Sequence, residues 1–380
     1  MNKEVYIAGW GSMSALGYTP QDIWEAYLNN NHYLSRNPIK GELADDAKNE
    51  LEAIRKESKN YKRLDPSVIM AIWSTRKALE KSKWEIDNSI GINIGSSRGA
   101  TSLFEQHYEA FKANKINPLA SPSTTLGNIS SWVGQDIGAK GIQFSHSITC
   151  SSASHAILNA IAWLKAGFTN RFIVGGSEAP LTPFTIAQMQ ALKIYTQDNK
   201  DEYPCKSLMV NKQYNTMCLG EGASVFCLET EASENSIVKI AGFGYGTEEI
   251  PHATAVTENG DAFVTSMKMA LKNLDKNSID VIVTHTPGTM LGDKSEVNAI
   301  QTVFGNSSIP ALTTNKWKIG HTLGASSALS VEMALLMMEN QQFIPVPFIN
   351  YKNTPQNINR IMVNSIGFGG NAVSLVIERL

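Results

Sequence analysis

The chain has 380 residues, 42% hydrophobic and 18% charged, enough apolar content for a sizeable core and too little charge for disorder. At roughly 100–200 residues per domain, this length predicts two or three domains or one large duplicated α/β unit. A formal net charge of -2 argues against a protein whose main business is coating nucleic acid or an anionic membrane, so neither is expected as a partner. Strand-like and helix-like runs alternate from end to end, in the manner of an α/β protein. The first strand, VYIAGW, leads into glycines 9, 11 and 17, but Ser14 stands where a dinucleotide fingerprint needs its third glycine, so a tight strand-to-helix turn is expected instead. The N-terminus lacks the apolar core of a secretory signal. No apolar run reaches the ~18 residues of a membrane span. The four cysteines form no CxxC pair, so neither a disulfide framework nor a metal site is expected, and a reducing cytoplasm fits.

Residues 40–65 are the most polar stretch and read as a solvated excursion. A helical run over 67–82 and a strand over 90–97 follow. QFSHSITC then reads as a strand, and Ala153, Ile157, Ile161 and Leu164 fall at helical spacing up to a stop at Gly167. Cys150 therefore sits at a strand-to-helix elbow, where unpaired N–H groups and the helix dipole favour a thiolate. A buried structural cysteine is the equal alternative. Strands FIVGGSE and ASVFCLE come next, and a β-rich meander over 223–246 gives way to a new helix–strand alternation near Asp261. His285 ends the strand DVIVTH, and His321 follows a strand and loop and starts a helix. Both lie at strand ends, where sites of α/β folds collect, though a lone histidine is more often a packed or surface residue. GFGG (367–370) is a flexible turn before the last strand, with Phe368 between glycines that permit close approach to a ligand.

Together these segments resemble the elongating β-ketoacyl-acyl carrier protein synthases of the thiolase-like superfamily. The likeness runs from VYIAGWGSMSALG through ITCSSASHAILNA, FIVGGSEAPLTP and MCLGEGASVFCLE to THTPGTMLGDKSE, NKWKIGHTLGASSAL and NSIGFGG. The resemblance implies an α/β thiolase-like fold, a duplicated five-layer αβαβα sandwich. Residues 1–240 would form the half with the nucleophile, and residues 241–380 the half with the two active-site histidines. It implies Cys150 as nucleophile, His285 and His321 as enolate-stabilising donors, Lys316 as the residue that sets their field, and the Cys150 and Phe368 amides as the oxyanion hole. The implied reaction is decarboxylative Claisen condensation with malonyl-acyl carrier protein. No cofactor is needed, since the phosphopantetheine arrives on the carrier protein. Thr254 and Thr289 would greet that arm, with Pro287 replacing a third threonine. Family position puts Lys59, Lys62, Arg63 and Lys193 in a carrier-docking patch. It puts Arg98, Ala120 and Met189 at the acyl pocket, Ala120 where a phenylalanine commonly reaches the partner's pocket.

A homodimer, or a heterodimer with a related subunit, is implied. The sequence departs from the family at Lys206-Ser207-Leu208-Met209, which replaces Arg-Pro-Phe-Asp. It departs again at Ser330, which replaces a glutamate, with Glu332 two positions later; the usual lysine–glutamate support is therefore in question. These departures lean towards a specialised pathway, such as aryl-polyene or flexirubin-type pigments, over housekeeping fatty-acid elongation. The competing readings are a degradative thiolase, a coenzyme A-dependent initiating synthase, a non-catalytic chain-length partner subunit and a cysteine hydrolase. The first needs a second cysteine near the C-terminus, and none follows Cys227; the second needs an asparagine beside Cys and His.

Overall fold

The apolar runs read as strands pair side by side in the computed structural model, which describes residues 3–197, 200–249, 251–252, 254–306 and 309–380. In chain order the strands of the main sheet, apart from a two-stranded pair at Lys40–Gly41 and Leu219–Gly220, are β1 (Tyr6–Ser14), β2 (Gly91–Gly95), β3 (Gln143–Phe144), β4 (Arg171–Glu178), β5 (Gly222–Glu229), β6 (Val238–Thr247), β7 (Val281–Val283), β8 (Ala311–Thr313), β9 (Arg360–Gly367) and β10 (Asn371–Arg379). They form one ten-stranded sheet in the order β8-β7-β9-β10-β6-β1-β5-β4-β2-β3.

Its two halves repeat one pattern. In the first, β5 lies antiparallel between β1 and β4, and β2 runs parallel to β4 and β3. In the second, β10 lies antiparallel between β6 and β9, and β7 runs parallel to β9 and β8. The halves meet where Tyr6 and Ile7 of β1 pair with Lys239 and Val238 of β6.

The helices that position the site are α1 (Pro66–Ser82), α2 (Thr101–Lys112), α3 (Ser152–Ala166), α4 (Pro183–Ala191), α5 (Asp261–Ala270), α6 (Met290–Phe304) and α7 (Ser326–Asn340). Asp65 starts α1 by accepting the Ser67 amide, with Pro66 in the first turn. Every residue of α7 from Ser326 to Met338 is buried, as expected of a helix with no solvent face. It packs on α3 and on strands of both half-sheets, whereas α1 covers β1 and β5 and α5 covers β6 and β10. Helices, half-sheet, central helices, half-sheet and helices make the five layers the resemblance implies.

Three expectations need correction. The polar stretch over 40–65 contains a helix, Asp45–Glu57, whose Ala47, Leu51 and Ile54 are buried; a sparse apolar stripe at helical spacing anchors a mostly charged segment. QFSHSITC is a strand only at Gln143–Phe144, because the chain must leave the sheet to set up the turn before α3. His321 does not open α7, which starts at Ser326 after a single turn of tighter helix at Leu323–Ala325.

Candidate active site

The elbow before α3 is strained. Thr149, a β-branched residue, has φ +46°, a conformation that costs energy and that surrounding contacts must hold. Its Oγ1 donates to the Phe368 carbonyl at 3.2 Å. Gly367 closes on the same turn: a Cβ there would lie 2.0 Å from Thr149 Oγ1 and 3.1 Å from the Cys150 amide nitrogen. Glycine at 367 is therefore what lets the GFGG turn lie against Cys150.

Cys150 opens onto a cavity of about 470 Å³ that His285, His321, Phe368, Thr254 and Thr289 also line. The structure thus brings together the expected nucleophile, both histidines and both threonines. Arg98, Met189 and Pro287 line it as well. The two imidazoles meet edge to face, with ring centroids 5.2 Å apart and planes at 86°. Lys316 is buried beside them, and neither its Nζ nor His321 Nδ1 has a partner among the described residues.

Burial, reinforced by the Lys316 charge, pushes His285 well below the usual imidazole range and His321 down to about 3. Both are neutral donors at physiological pH. Burial also lowers Lys316 to about 8, although Glu296 and Cys150 oppose it. The expectation of a resting thiolate is corrected. Burial, and next the nearby Glu178, push the Cys150 thiol up to about 12, and Lys316 only partly offsets this. The cysteine rests as a thiol because the site that excludes water also removes the solvation a thiolate needs.

Three carboxylates that sequence reasoning missed hold this arrangement. Glu296 accepts the amides of His285 and Thr286 at 3.0 and 2.8 Å and the Asn364 side chain. Asp293 accepts the Gly288 and Leu208 amides at 2.9 Å each and pairs with buried Lys212 at 2.5 Å. This pins the divergent Lys206–Met209 segment to the loop carrying Pro287 and Thr289. Glu178, at the end of β4, accepts from Ser96 Oγ and from the Ser97, Arg98 and Gly324 amides. A signal was present: Asp293 and Glu296 fall on the buried stripe of α6 with Ile300, and Glu178 ends an apolar strand. Acidic residues in such positions need amide donors nearby.

Glu332 does not replace the missing family glutamate. It accepts from Ser12 and Tyr27, while Ser330 bonds back to the Ser326 carbonyl, so Lys316 has no carboxylate in hydrogen-bond contact. Lys59, Lys62 and Arg63 line a separate groove with His107 and Trp132; Lys193 lines neither that groove nor the cavity, which its neighbour Leu192 lines. Ala120 lines neither. Cys205, Cys218 and Cys227 are buried and free. No helix among the described residues is long and apolar enough to cross a membrane.

Family models match along most of the chain: "Beta-ketoacyl synthase, N-terminal domain" over residues 2–234 and "Beta-ketoacyl synthase, C-terminal domain" over residues 237–351. Among curated relatives, 3-oxoacyl-[acyl-carrier-protein] synthase 2 of Staphylococcus aureus (strain N315) is 25% identical over 411 residues, covering 100% of this chain and 99% of its own. The Coxiella burnetii enzyme of the same name is 27% identical over 413 residues, with the same coverage. Among solved structures, the ishigamide ketosynthase/chain length factor superposes with a TM-score of 0.86 at 18% identity, covering 100% of both chains. A chain of the structure described as ketosynthase (ApeO) in complex with its chain length factor (ApeC) from Xenorhabdus doucetiae gives 0.80 at 20% identity, covering 100% of this chain and 98% of its own. A complex described as a type II PKS acyl-carrier protein with its ketosynthase gives 0.85 at 20% identity, covering 100% of both chains. This chain belongs to the β-ketoacyl synthase family, the elongating, acyltransferase-class ketosynthases of thiolase-like fold.

Proposed function

We propose that this chain joins an acyl group, carried on Cys150, to a malonyl unit delivered by acyl carrier protein, with loss of carbon dioxide. The observation that carries this reading is one cavity lined by Cys150, His285 and His321, where burial, reinforced by the Lys316 charge, keeps both imidazoles neutral. The Cys150 sulfur attacks the acyl thioester carbonyl, its proton leaves with the pantetheine thiol, and the acyl–Cys150 bond replaces the acyl–carrier bond. The Cys150 and Phe368 amides receive the oxyanion. Malonyl thioester then loses carbon dioxide, the released electron pair forms an enolate, and His285 and His321 donate to its oxygen. The nucleophilic carbon attacks the acyl-Cys150 carbonyl, a carbon–carbon bond forms, and the cysteine is released and reprotonated. Lys316 acts through its field, since burial leaves it without a reacting partner.

The carrier protein docks on a basic surface that includes Lys59, Lys62, Arg63 and Lys193, and Thr254 and Thr289 meet its phosphopantetheine arm. The working assembly is a homodimer or a heterodimer with a related subunit, in which Ala120 leaves the partner's acyl channel wide. A long or rigid chain such as a polyene suits that channel, which favours a specialised pathway over housekeeping elongation.

The test incubates the purified chain with acyl- and malonyl-carrier protein and follows carbon dioxide and carrier-bound product. Formation of 3-oxoacyl-carrier protein supports the reading. Release of free acid without malonyl groups would make the chain a hydrolase, and absence of any acyl-enzyme would make it a non-catalytic partner subunit. Charge reversal at Lys62 and Arg63 is expected to raise KM for carrier substrates and spare simple thioester mimics; equal effects would remove the patch.

A further inference from the structure

The cavity beside Cys150 is lined by an arginine whose guanidinium forms no ion pair among the described residues. Arg98 follows the end of β2, and its backbone amide is held by Glu178 at 3.1 Å. Its guanidinium turns the other way: Nη2 donates to the neutral Gln188 Oε1 of α4 at 2.8 Å, while Nε is buried with no acceptor. No carboxylate among the described residues pairs with it.

The cavity it lines is mixed, with apolar Met189, Leu192, Ile194 and Met217 and polar Ser97, Thr149 and Asn215. A guanidinium is a permanent charge. A partly buried positive charge whose Nε–H has no acceptor is costly until an anion arrives to share it. Cys150 lines the same cavity, so a group bound to Arg98 can be the far end of the chain carried on the sulfur.

We propose that Arg98 is a specificity-determining residue that reads a carboxylate at the distal end of the acyl chain, so that the preferred acyl group is an acidic one rather than a plain alkyl chain. This rests on the condensing role of Cys150 proposed above. Gln188 orients the guanidinium, and the unpartnered Nε–H supplies a donor for a charge-assisted hydrogen bond.

The test loads the full-length chain from two pantetheine thioesters of equal length, one ending in a methyl group and one in a carboxylate, and reads Cys150 acylation by intact-protein mass spectrometry. Wild type is expected to take the carboxylate-ended chain faster by about tenfold to a hundredfold. Arg98→Ile is expected to lose that preference while still accepting the methyl-ended chain, and Arg98→Lys to keep part of it. Equal rates in wild type, or the same ratio in wild type and Arg98→Ile, overturn the proposal; the wild-type ratio does so even if a variant fails to fold. An equal gain from a neutral ketone in place of the carboxylate also overturns it, since oxygen rather than charge would then be read. If neither thioester acylates Cys150, the condensing reading fails as well, an outcome distinct from equal acylation by both.

Discussion

The two halves of the sheet each feed a central helix through a turn of the same shape, and only one turn carries a cysteine. Thr149 stands three residues before α3 with φ +46°, and Leu323 stands three residues before α7 with φ +43°. By this register Cys150 corresponds to Gly324. The strand beside each turn differs in what it offers. β4 ends in Glu178, whose carboxylate takes the Gly324 amide at 2.9 Å, whereas β9 ends in Gly367, which packs against the Cys150 amide with no side chain. No carboxylate among the described residues accepts from the Cys150 amide. One backbone device therefore serves twice: where a protein carboxylate fills the anion position the turn is a joint, and where glycine leaves it open the turn can receive a substrate oxyanion.

The largest expected effect removes the chemistry from the open turn. Cys150→Gln should lose acyl-enzyme formation completely yet still decarboxylate malonyl-carrier protein through His285 and His321. His321→Ala should do the reverse, cutting carbon dioxide release by about 10²–10³-fold, as for a lost oxyanion donor, with a smaller loss in acylation. Equal losses in both half-reactions would contradict this division of labour.

Next come the glycines that distinguish the turns. A Cβ at Gly367 must displace the Thr149–Cys150 turn, so Gly367→Ala should lower the acylation rate about a hundredfold or more while the melting temperature moves little. A Cβ at Gly324 would sit 2.3 Å from the Ser97 amide nitrogen and 2.6 Å from Glu178, so Gly324→Ala should act mainly on stability. Similar kinetic and thermal profiles for the two variants would break the comparison.

Glu178→Ala strands the buried Gly324 amide and the half-buried Ser97 and Arg98 amides and should cost about 2–4 kcal/mol in a denaturant titration, with Glu178→Gln losing less. Burial raises the Glu178 carboxyl to about 7, above its unfolded value. The stability it contributes is therefore complete at acid pH and fades as pH rises through 7, and the cost of Glu178→Ala should shrink between pH 5 and 8. A constant cost across that window would count against the buried carboxyl.

The smallest effect is a profile rather than a loss. Alkylation of Cys150 by iodoacetamide should climb steadily with pH and reach no plateau by pH 9. The thiol is held near 12, and loss of the Lys316 proton near pH 8 only raises it further. A plateau near neutrality would restore the thiolate that the helix end alone suggested.

Much of this was legible in the chain. The helical spacing after Cys150, the strand-end placement of His285 and the GFGG turn are local patterns, and they converge on one cavity with His321, which a short helix at Lys316–Ile319 separates from its strand. What stayed hidden depends on long-range contact. The Glu178–Gly324 bond spans 146 residues, and the Thr149–Phe368 bond spans 219. Neither leaves a period or spacing to read. The Cys150 protonation state was misjudged for the same reason: the helix end is written beside the cysteine, but the burial that outweighs it comes from segments far along the chain.

The central claim is that the open turn, and no other cysteine site, carries the acyl chain. Peptide mapping of the full-length chain after incubation with acyl-carrier protein tests it most directly. The account predicts one acyl adduct, on the peptide containing Cys150, abolished by Cys150→Ala. An adduct on Cys205, Cys218 or Cys227, or one that survives Cys150→Ala, would contradict it.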